Sequence, residues 1–181
     1  VSYVVKPLQR LAAIAAVCLI SCASTTSRQH LPPLQTVAQL DLPRYMGTWY
    51  EIASIPQFFQ RGCTGTRATY TLQPEGHVQV VNACRRGDPP QLSQVTGRAR
   101  LPDPAHSAKL EVSFFRPFWG DYWVIALAED YTHAAVGSPG RDSLWILSRT
   151  PTLPEPTYQA LLQNLSAQHY DVTRLQRTQQ P

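Results

Sequence analysis

Charge is scarce in this chain. Only 15% of its residues are Asp, Glu, Lys or Arg, and the formal net charge at pH 7 is +4. Lys6 and Arg10 fall in an N-terminal segment that reads as an export signal. Without them, 16 − 2 = 14 basic residues face 12 acidic ones, a balance of +2. A surplus that small excludes nucleic acid as an electrostatic partner. Arg85-Arg86 is the sole basic doublet and reads as a solvated turn. Long apolar runs are missing too. Residues 11–20 form an apolar stretch too short for a mature transmembrane helix, which needs about 20 residues. Catalytic signatures are also absent. There is no Gly-x-Ser-x-Gly elbow and no phosphate-cradling glycine loop. The five histidines, His30, His77, His106, His133 and His169, show no metal-ligand spacing. These absences predict no catalytic residue, no metal and no cofactor. Glu51 is the one carboxylate with any claim to chemistry.

What is present points to a folded, exported domain. A hydrophobic share of 43% rules out a disordered chain, and 181 residues suit one domain with its own core. Sixteen prolines imply many turns between short elements. Lys6 and Arg10 precede the apolar stretch, which runs into Leu19-Ile20-Ser21-Cys22. A basic start, a short apolar core and a small-residue site mark a secretory signal. The last four residues resemble the bacterial lipobox, whose cysteine is diacylated and becomes the mature N-terminus. The alternative is an ordinary signal peptide that happens to contain cysteine. The lipobox reading assigns residues 1–21 to the signal peptide, Cys22 to lipidation and 22–40 to a lipidated tether. Ala23, in place of an aspartate, implies outer-membrane sorting by the pattern of such lipoproteins.

Cysteine counting adds a constraint. Of four cysteines, Cys18 leaves with the signal and Cys22 takes the lipid. Cys63 and Cys84 remain, an even pair in an oxidising compartment. They are predicted to be bonded, with two free thiols as the alternative. A bridge closing a loop of about 20 residues stabilises by roughly 3 kcal/mol in the chain-entropy model.

From Thr48 onward the chain alternates in short runs: 48–55, 64–72, 77–84, 92–101, 109–115, 122–128, 133–137 and 144–149. Hairpin-length connections between them argue an antiparallel, up-and-down order. Eight such strands close into a barrel wide enough for one small ligand. After Pro151 and Pro154, residues 155–168 carry Tyr158, Leu161, Leu162 and Leu165 at helical spacing. The predicted fold is therefore all-β. It is an eight-stranded antiparallel up-and-down β-barrel over residues 41–181, with one C-terminal α-helix packed outside. Residues 172–175 are a candidate ninth strand.

These residues carry a family resemblance. Gly47-x-Trp49-Tyr50-Glu51 resembles the first lipocalin signature. Glu129-Asp130-Tyr131 stands where the second lies, and Arg149 matches the third. The likeness is closest to bacterial lipocalins of the Blc type, relatives of apolipoprotein D. Residues 112–115, 122–127, 144–151 and the terminal Gln179-Gln180-Pro181 support it. The resemblance implies an outer-membrane lipoprotein, its barrel facing the periplasm, that binds fatty acids or lysophospholipids. It further implies a role in envelope maintenance under stress, and leaves a homodimer open. Two other readings stand beside it. One is an isomerase or de-epoxidase acting on a lipid or pigment in the same barrel. The other is an envelope interaction protein with a filled barrel.

The family pattern also orients the barrel. It implies that Trp49 packs at the closed end beneath Arg149, a cation–π contact worth up to about 2 kcal/mol. The alternative makes Trp49 a ligand contact. Gly47 would allow close approach at the base. In an up-and-down barrel alternate connections share an end. Residues 56–62, 85–91, 116–121 and 138–142 therefore belong to the mouth, with Cys63 and Cys84 beside it. The expected rim comprises Phe58, Phe59, Phe118 and Trp119 with Arg61, Arg85, Arg86, Arg116 and Arg141. Such a rim suits an anionic amphiphile or a membrane surface. The alternative is that the aromatics cap the core and the arginines keep the protein soluble. The expected pocket lining is Tyr70, Val80, Asn82, Val112, Phe114, Trp123 and Ile125. Tyr70 and Asn82 would be its orienting polar groups.

Overall fold

Alternation along the chain becomes one continuous antiparallel ladder. The computed structural model describes residues 31–181, so the signal segment and Cys22 lie outside the described residues. The strands are β1 (Gly47–Ser54), β2 (Thr64–Leu72), β3 (Val78–Arg86), β4 (Gln91–Arg100), β5 (Lys109–Ser113), β6 (Gly120–Leu127), β7 (His133–Gly137), β8 (Leu144–Ser148) and β9 (Gln176–Arg177). Their order is β2-β3-β4-β5-β6-β7-β8-β1-β9, and β1 also pairs with β2, which closes the barrel. The eight main strands match the eight alternating runs. The ninth lies slightly later than expected: residues Val172–Arg174 form a 3-10 turn and the strand follows it.

Closure depends on a shift of register in β1. Gly47 to Tyr50 pair with Tyr70 to Arg67 of β2. Tyr50 to Ser54 pair with β8, with an irregularity between Glu51 and Ala53. A bulge of this kind bends a strand so that it can serve two neighbours. Past Tyr50, β1 leaves β2, and the C-terminal segment fills the gap. Thr178 N donates to Ile52 O at 2.9 Å, and Gly65 N donates to Gln179 O at 2.7 Å. Gln180 Nε2 donates to both Glu51 O and Thr66 O, at 2.7 and 2.9 Å. One glutamine side chain thus satisfies two strand carbonyls that have lost their ladder partners.

The inward and outward faces of the wall build two apolar clusters. Inside lie Trp49, Tyr70, Val78, Val80, Ala99, Leu110, Val124, Val136 and Leu147, all buried. Outside, Ile52, Ala53, Ile125, Ala135, Leu144 and Ile146 meet the helix α2 (Glu155–Ala167). Its buried residues are Tyr158, Leu161 and Leu165, spaced to share one face. Each such side chain, fully buried, stabilises by about 1.5–3 kcal/mol. Gly137 is required here, because a Cβ would fall 2.0 Å from the Tyr170 hydroxyl.

The later part of the expected tether is not a free coil. Leu34 and Leu40 are buried at 5% and 6% exposure. Val37 N donates to Val124 O at 3.0 Å, and Leu40 N to Ser107 Oγ at 2.8 Å. Three apolar residues in a Pro-containing stretch strap the chain along the wall. A short helical turn, α1 (Leu42–Tyr45), then crosses the base with Asp41 as its cap.

Candidate ligand-binding site

The closed end is built around one tryptophan. Trp49 is fully buried, and the Arg149 Cζ lies 3.9 Å from its ring centroid. Arg149 also donates to three carbonyls: Thr48 at 3.1 Å, Arg44 at 2.9 Å and Tyr131 at 3.3 Å. The guanidinium therefore ties β1, α1 and the β6–β7 turn to the end of β8. Desolvation lowers its pKa, but arginine starts so high that it stays charged. Gly47 has φ +95°, and a Cβ there would sit 3.3 Å from Arg149 Nη1. Both conformation and space favour glycine. Trp49 Nε1 donates to Tyr45 O at 2.9 Å, so no polar atom of the indole is orphaned.

Above the tryptophan three phenols meet. The Tyr122 hydroxyl is 2.9 Å from that of Tyr45 and 2.8 Å from that of Tyr70. Burial pushes the Tyr70 hydroxyl up to about 12 and raises those of Tyr45 and Tyr122 as well. The cluster is thus polar but neutral at physiological pH. Tyr45, Tyr70, Tyr122, Val80, Ala99 and Leu110 are among the residues around a cavity of only about 10 Å³, room for about one water. The lower barrel is filled.

The upper barrel differs. Val95 of β4 sits opposite Asn82, on the face that carries Val80, yet it is 42% exposed. Asn82 and Phe114 are half-buried. On the opposite wall Glu51 is buried at 6% exposure. Its carboxylate accepts from Ser54 Oγ at 2.9 Å, Thr178 Oγ1 at 2.6 Å and Gln60 Nε2 at 2.6 Å. The Gln60 Oε1 in turn accepts from Trp145 Nε1 at 3.2 Å. Gln60 belongs to the first mouth connection, so this chain of bonds pins that connection to β1, β8 and the C-terminus.

Five of the seven expected pocket residues share the inward face. Tyr70 and Val80 are buried in the interior cluster, and Val112 and Phe114 pack against it. Asn82 lies in register with Ala68, another residue packed there. Trp123 and Ile125 are corrections. Both belong to the cluster under α2, outside the barrel, and Lys109 Nζ lies 4.6 Å from the Trp123 ring centroid. On β6 the inward residues are Tyr122, Val124 and, past the irregularity, Leu127. Period-two alternation offers two faces without saying which is inner, and β6 is nearly apolar on both. Tyr45, Tyr122 and Trp145 were missed for this reason or because they lie beyond the alternating runs.

Cys63 and Cys84 form a disulfide with Cα atoms 5.4 Å apart, beside the first and third connections. Phe58 and Phe118 are 79% and 76% exposed, as is Phe115 at 76%, which sequence reading left out. Phe59 is half-exposed and meets Phe58 edge-to-face at 5.4 Å. Arg61 and Arg116 are exposed. Arg86 turns back, donating to Phe59 O and lying 3.1 Å from Cys63 Sγ. Trp119 is stacked under Arg100, whose Cζ is 4.0 Å away. Arg141 is not a rim residue. It is 8% exposed and donates to Gln168 O, Pro139 O and Pro32 O. Three carbonyls within reach outweigh solvation of its guanidinium.

A closed eight-stranded meander with a plugged base, an inward-facing residue left exposed toward the mouth and one outer helix is an architecture that can hold a small ligand. The chain belongs to the lipocalin family. The lipocalin-like domain pattern matches residues 40–180. The outer membrane lipoprotein Blc of Escherichia coli (strain K12) is 41% identical over 94% of each chain. Temperature-induced lipocalin-1 of Arabidopsis thaliana is 41% identical, over 81% of this chain and 83% of its own. Among solved structures, insecticyanin from the tobacco hornworm Manduca sexta superposes with a TM-score of 0.65. It shares 21% identity over 82% of this chain and 85% of its own, a likeness of fold.

Proposed function

We propose that this chain is a lipid-anchored lipocalin of the bacterial envelope that binds fatty acids or lysophospholipids. The acyl chain enters the upper barrel, above the tyrosine floor, and the polar head stays at the mouth. Such binding would serve outer-membrane maintenance under stress. The observation that carries this reading is the contrast along the interior: a filled lower barrel, and above it an inward-facing Val95 that is 42% exposed beside half-buried Asn82 and Phe114. Its relative's description as an outer membrane lipoprotein supports the location. Native mass spectrometry of the full chain carrying Cys22→Ser, exported and purified without added lipid, tests it. Co-purified fatty acid or lysophospholipid is the expected result; an empty protein that also fails to take up either one would sink the idea.

The chain's path supports a mouth that faces the membrane. Pro32 is held by Arg141 in the β7–β8 connection, at the same end as the exposed phenylalanines. Cys22 lies 31 − 22 = 9 residues before Leu31, a span of at most about 32 Å. A lipid on Cys22 would therefore hold the rim near the bilayer, with the barrel in the periplasm. The alternative, an isomerase or de-epoxidase, has no free thiol among the described residues to work with, because Cys63 and Cys84 are bonded.

A further inference from the structure

Strands β4 and β5 pair only from Arg98–Ser113 to Arg100–Glu111. Toward the mouth they part: β4 extends on to Gln91, whereas β5 ends at Ser113. A pocket of about 130 Å³ opens at the fork, with Gly97, Arg98, Ser113, Phe114, Arg116 and Trp119 in its lining. Gly97 makes the opening what it is. A Cβ there would lie 2.6 Å from the Phe114 ring and 2.7 Å from Ser113 O. With glycine, Phe114 lies across the fork and also packs against the interior cluster. One aromatic ring thus lines the pocket and packs against the barrel interior.

The polar groups at this fork are unspent. Arg98 and Arg116 are exposed, and neither forms an ion pair among the described residues. Their neighbour Arg100 is different: it pairs with Glu111 at 2.7 Å and stacks on Trp119. Ser113 is 7% exposed, and its Oγ has no hydrogen-bond partner. A buried hydroxyl without a partner is costly and uncommon in a folded protein. Two free guanidiniums, an unpartnered hydroxyl and an aromatic wall call for a compact anion bearing several acceptor oxygens, joined to an apolar group.

We propose that this fork is the headgroup subsite. Arg98 and Arg116 bind the phosphate or carboxylate of a single-chain amphiphile, Ser113 donates its hydroxyl to the same group, and the chain passes Phe114 into the barrel. This rests on the amphiphile reading above. The test uses the full chain with Cys22→Ser, titrated by tryptophan fluorescence with three probes. They are a monoacylglycerol, the monoacylglycerol phosphate of the same chain length, and inorganic phosphate. Arg98→Gln with Arg116→Gln is expected to weaken the monoacylglycerol phosphate by at least about 30-fold, as loss of charge-assisted bonds implies. Ser113→Ala is expected to weaken it about 5-fold. Both should leave the neutral monoacylglycerol within about 2-fold, which also shows the variants are folded. Equal losses for both amphiphiles, or none for either, would overturn the subsite while leaving the barrel reading intact. A parent protein that binds neither amphiphile would overturn both. Inorganic phosphate bound as tightly as the phosphorylated amphiphile would overturn the lipid assignment and make the fork a free-anion site.

Discussion

The two ends of this barrel are built on opposite terms. At the base, every polar group of Trp49 and Arg149 has a named partner, and the cavity left over holds about one water. At the mouth, Phe58, Phe115 and Phe118 are each more than three-quarters exposed. Arg98 and Arg116 carry charges that no partner neutralises among the described residues. The base has been completed by its own chain. The mouth has been left for something else to complete. That asymmetry teaches where function lies in a fold whose strands are otherwise alike. The family's most recognisable residues are structural, and the residues that would meet a ligand or bilayer are those a signature search passes over.

The comparison breaks first if the base is not the stabilising end. Trp49→Ala removes a fully buried ring and strands Arg149 over a void. The expected cost is about 3–5 kcal/mol, read as the midpoint shift in urea denaturation. A loss below about 1 kcal/mol would mean that the base is not a keystone. Replacing both Cys63 and Cys84 by serine probes the mouth in the same assay. The bridge spans 21 residues, so about 3 kcal/mol should be lost. The bridge is the covalent constraint on the first connection, beside the hydrogen bonds of Gln60 with Glu51 and Trp145 and of Arg86 with Phe59 O.

The sequence carried this much because the fold's main elements are local. Eight alternating runs are eight strands, and Pro-rich turns set their hairpins. Signature residues placed the base. Four things escaped. The inner face of β6 escaped because the strand is apolar on both faces, so alternation could not name Tyr122 and Val124 over Trp123 and Ile125. The strap at 31–40 looked like a linker because Leu34, Val37 and Leu40 are spread among polar residues and prolines; only the wall they meet makes them core. The stitching by Gln180 joins positions over a hundred residues apart, a contact that short-range pattern does not encode. The β4–β5 fork escaped for a fourth reason. Its defining residue is Gly97, which in a strand reads as weakness until the Phe114 ring is seen against it.

Gly97→Ala sharpens the contrast where base and mouth meet. The new methyl would overlap the Phe114 ring and the Ser113 carbonyl, so the ring must leave the fork. A cost of about 1–3 kcal/mol is expected, with the pocket altered and the tyrosine cluster below untouched. The base has its own chemical readout. Burial pushes Tyr70 up to about 12, and Tyr45 and Tyr122 are raised too, against about 10 in the unfolded chain. In the folded state the phenols hold their protons more tightly than in the unfolded state. Their contribution is whole below about pH 10 and falls as pH rises toward 12. Stability measured across that window should decline, and less steeply in Tyr70→Phe. A flat profile in the parent would show that the phenols are not enclosed.

The smallest expected effect on stability belongs to the rim, and it is the most telling. Phe58 and Phe118 touch little of the protein, so Phe58→Ser with Phe118→Ser should change stability by no more than about 0.5 kcal/mol. Two exposed aromatic rings are nevertheless among the groups best suited to enter a bilayer interface. Co-sedimentation of the unanchored Cys22→Ser chain with vesicles containing anionic phospholipid should fall several-fold in the double variant. It should fall again with salt, since the nearby arginines act through screened charge. A rim variant that unfolds readily would mean that these rings belong to the core after all, and the two ends would no longer differ in kind. A stable variant that still binds vesicles fully would leave the rings as an open surface with another partner, and would turn the mouth away from the membrane.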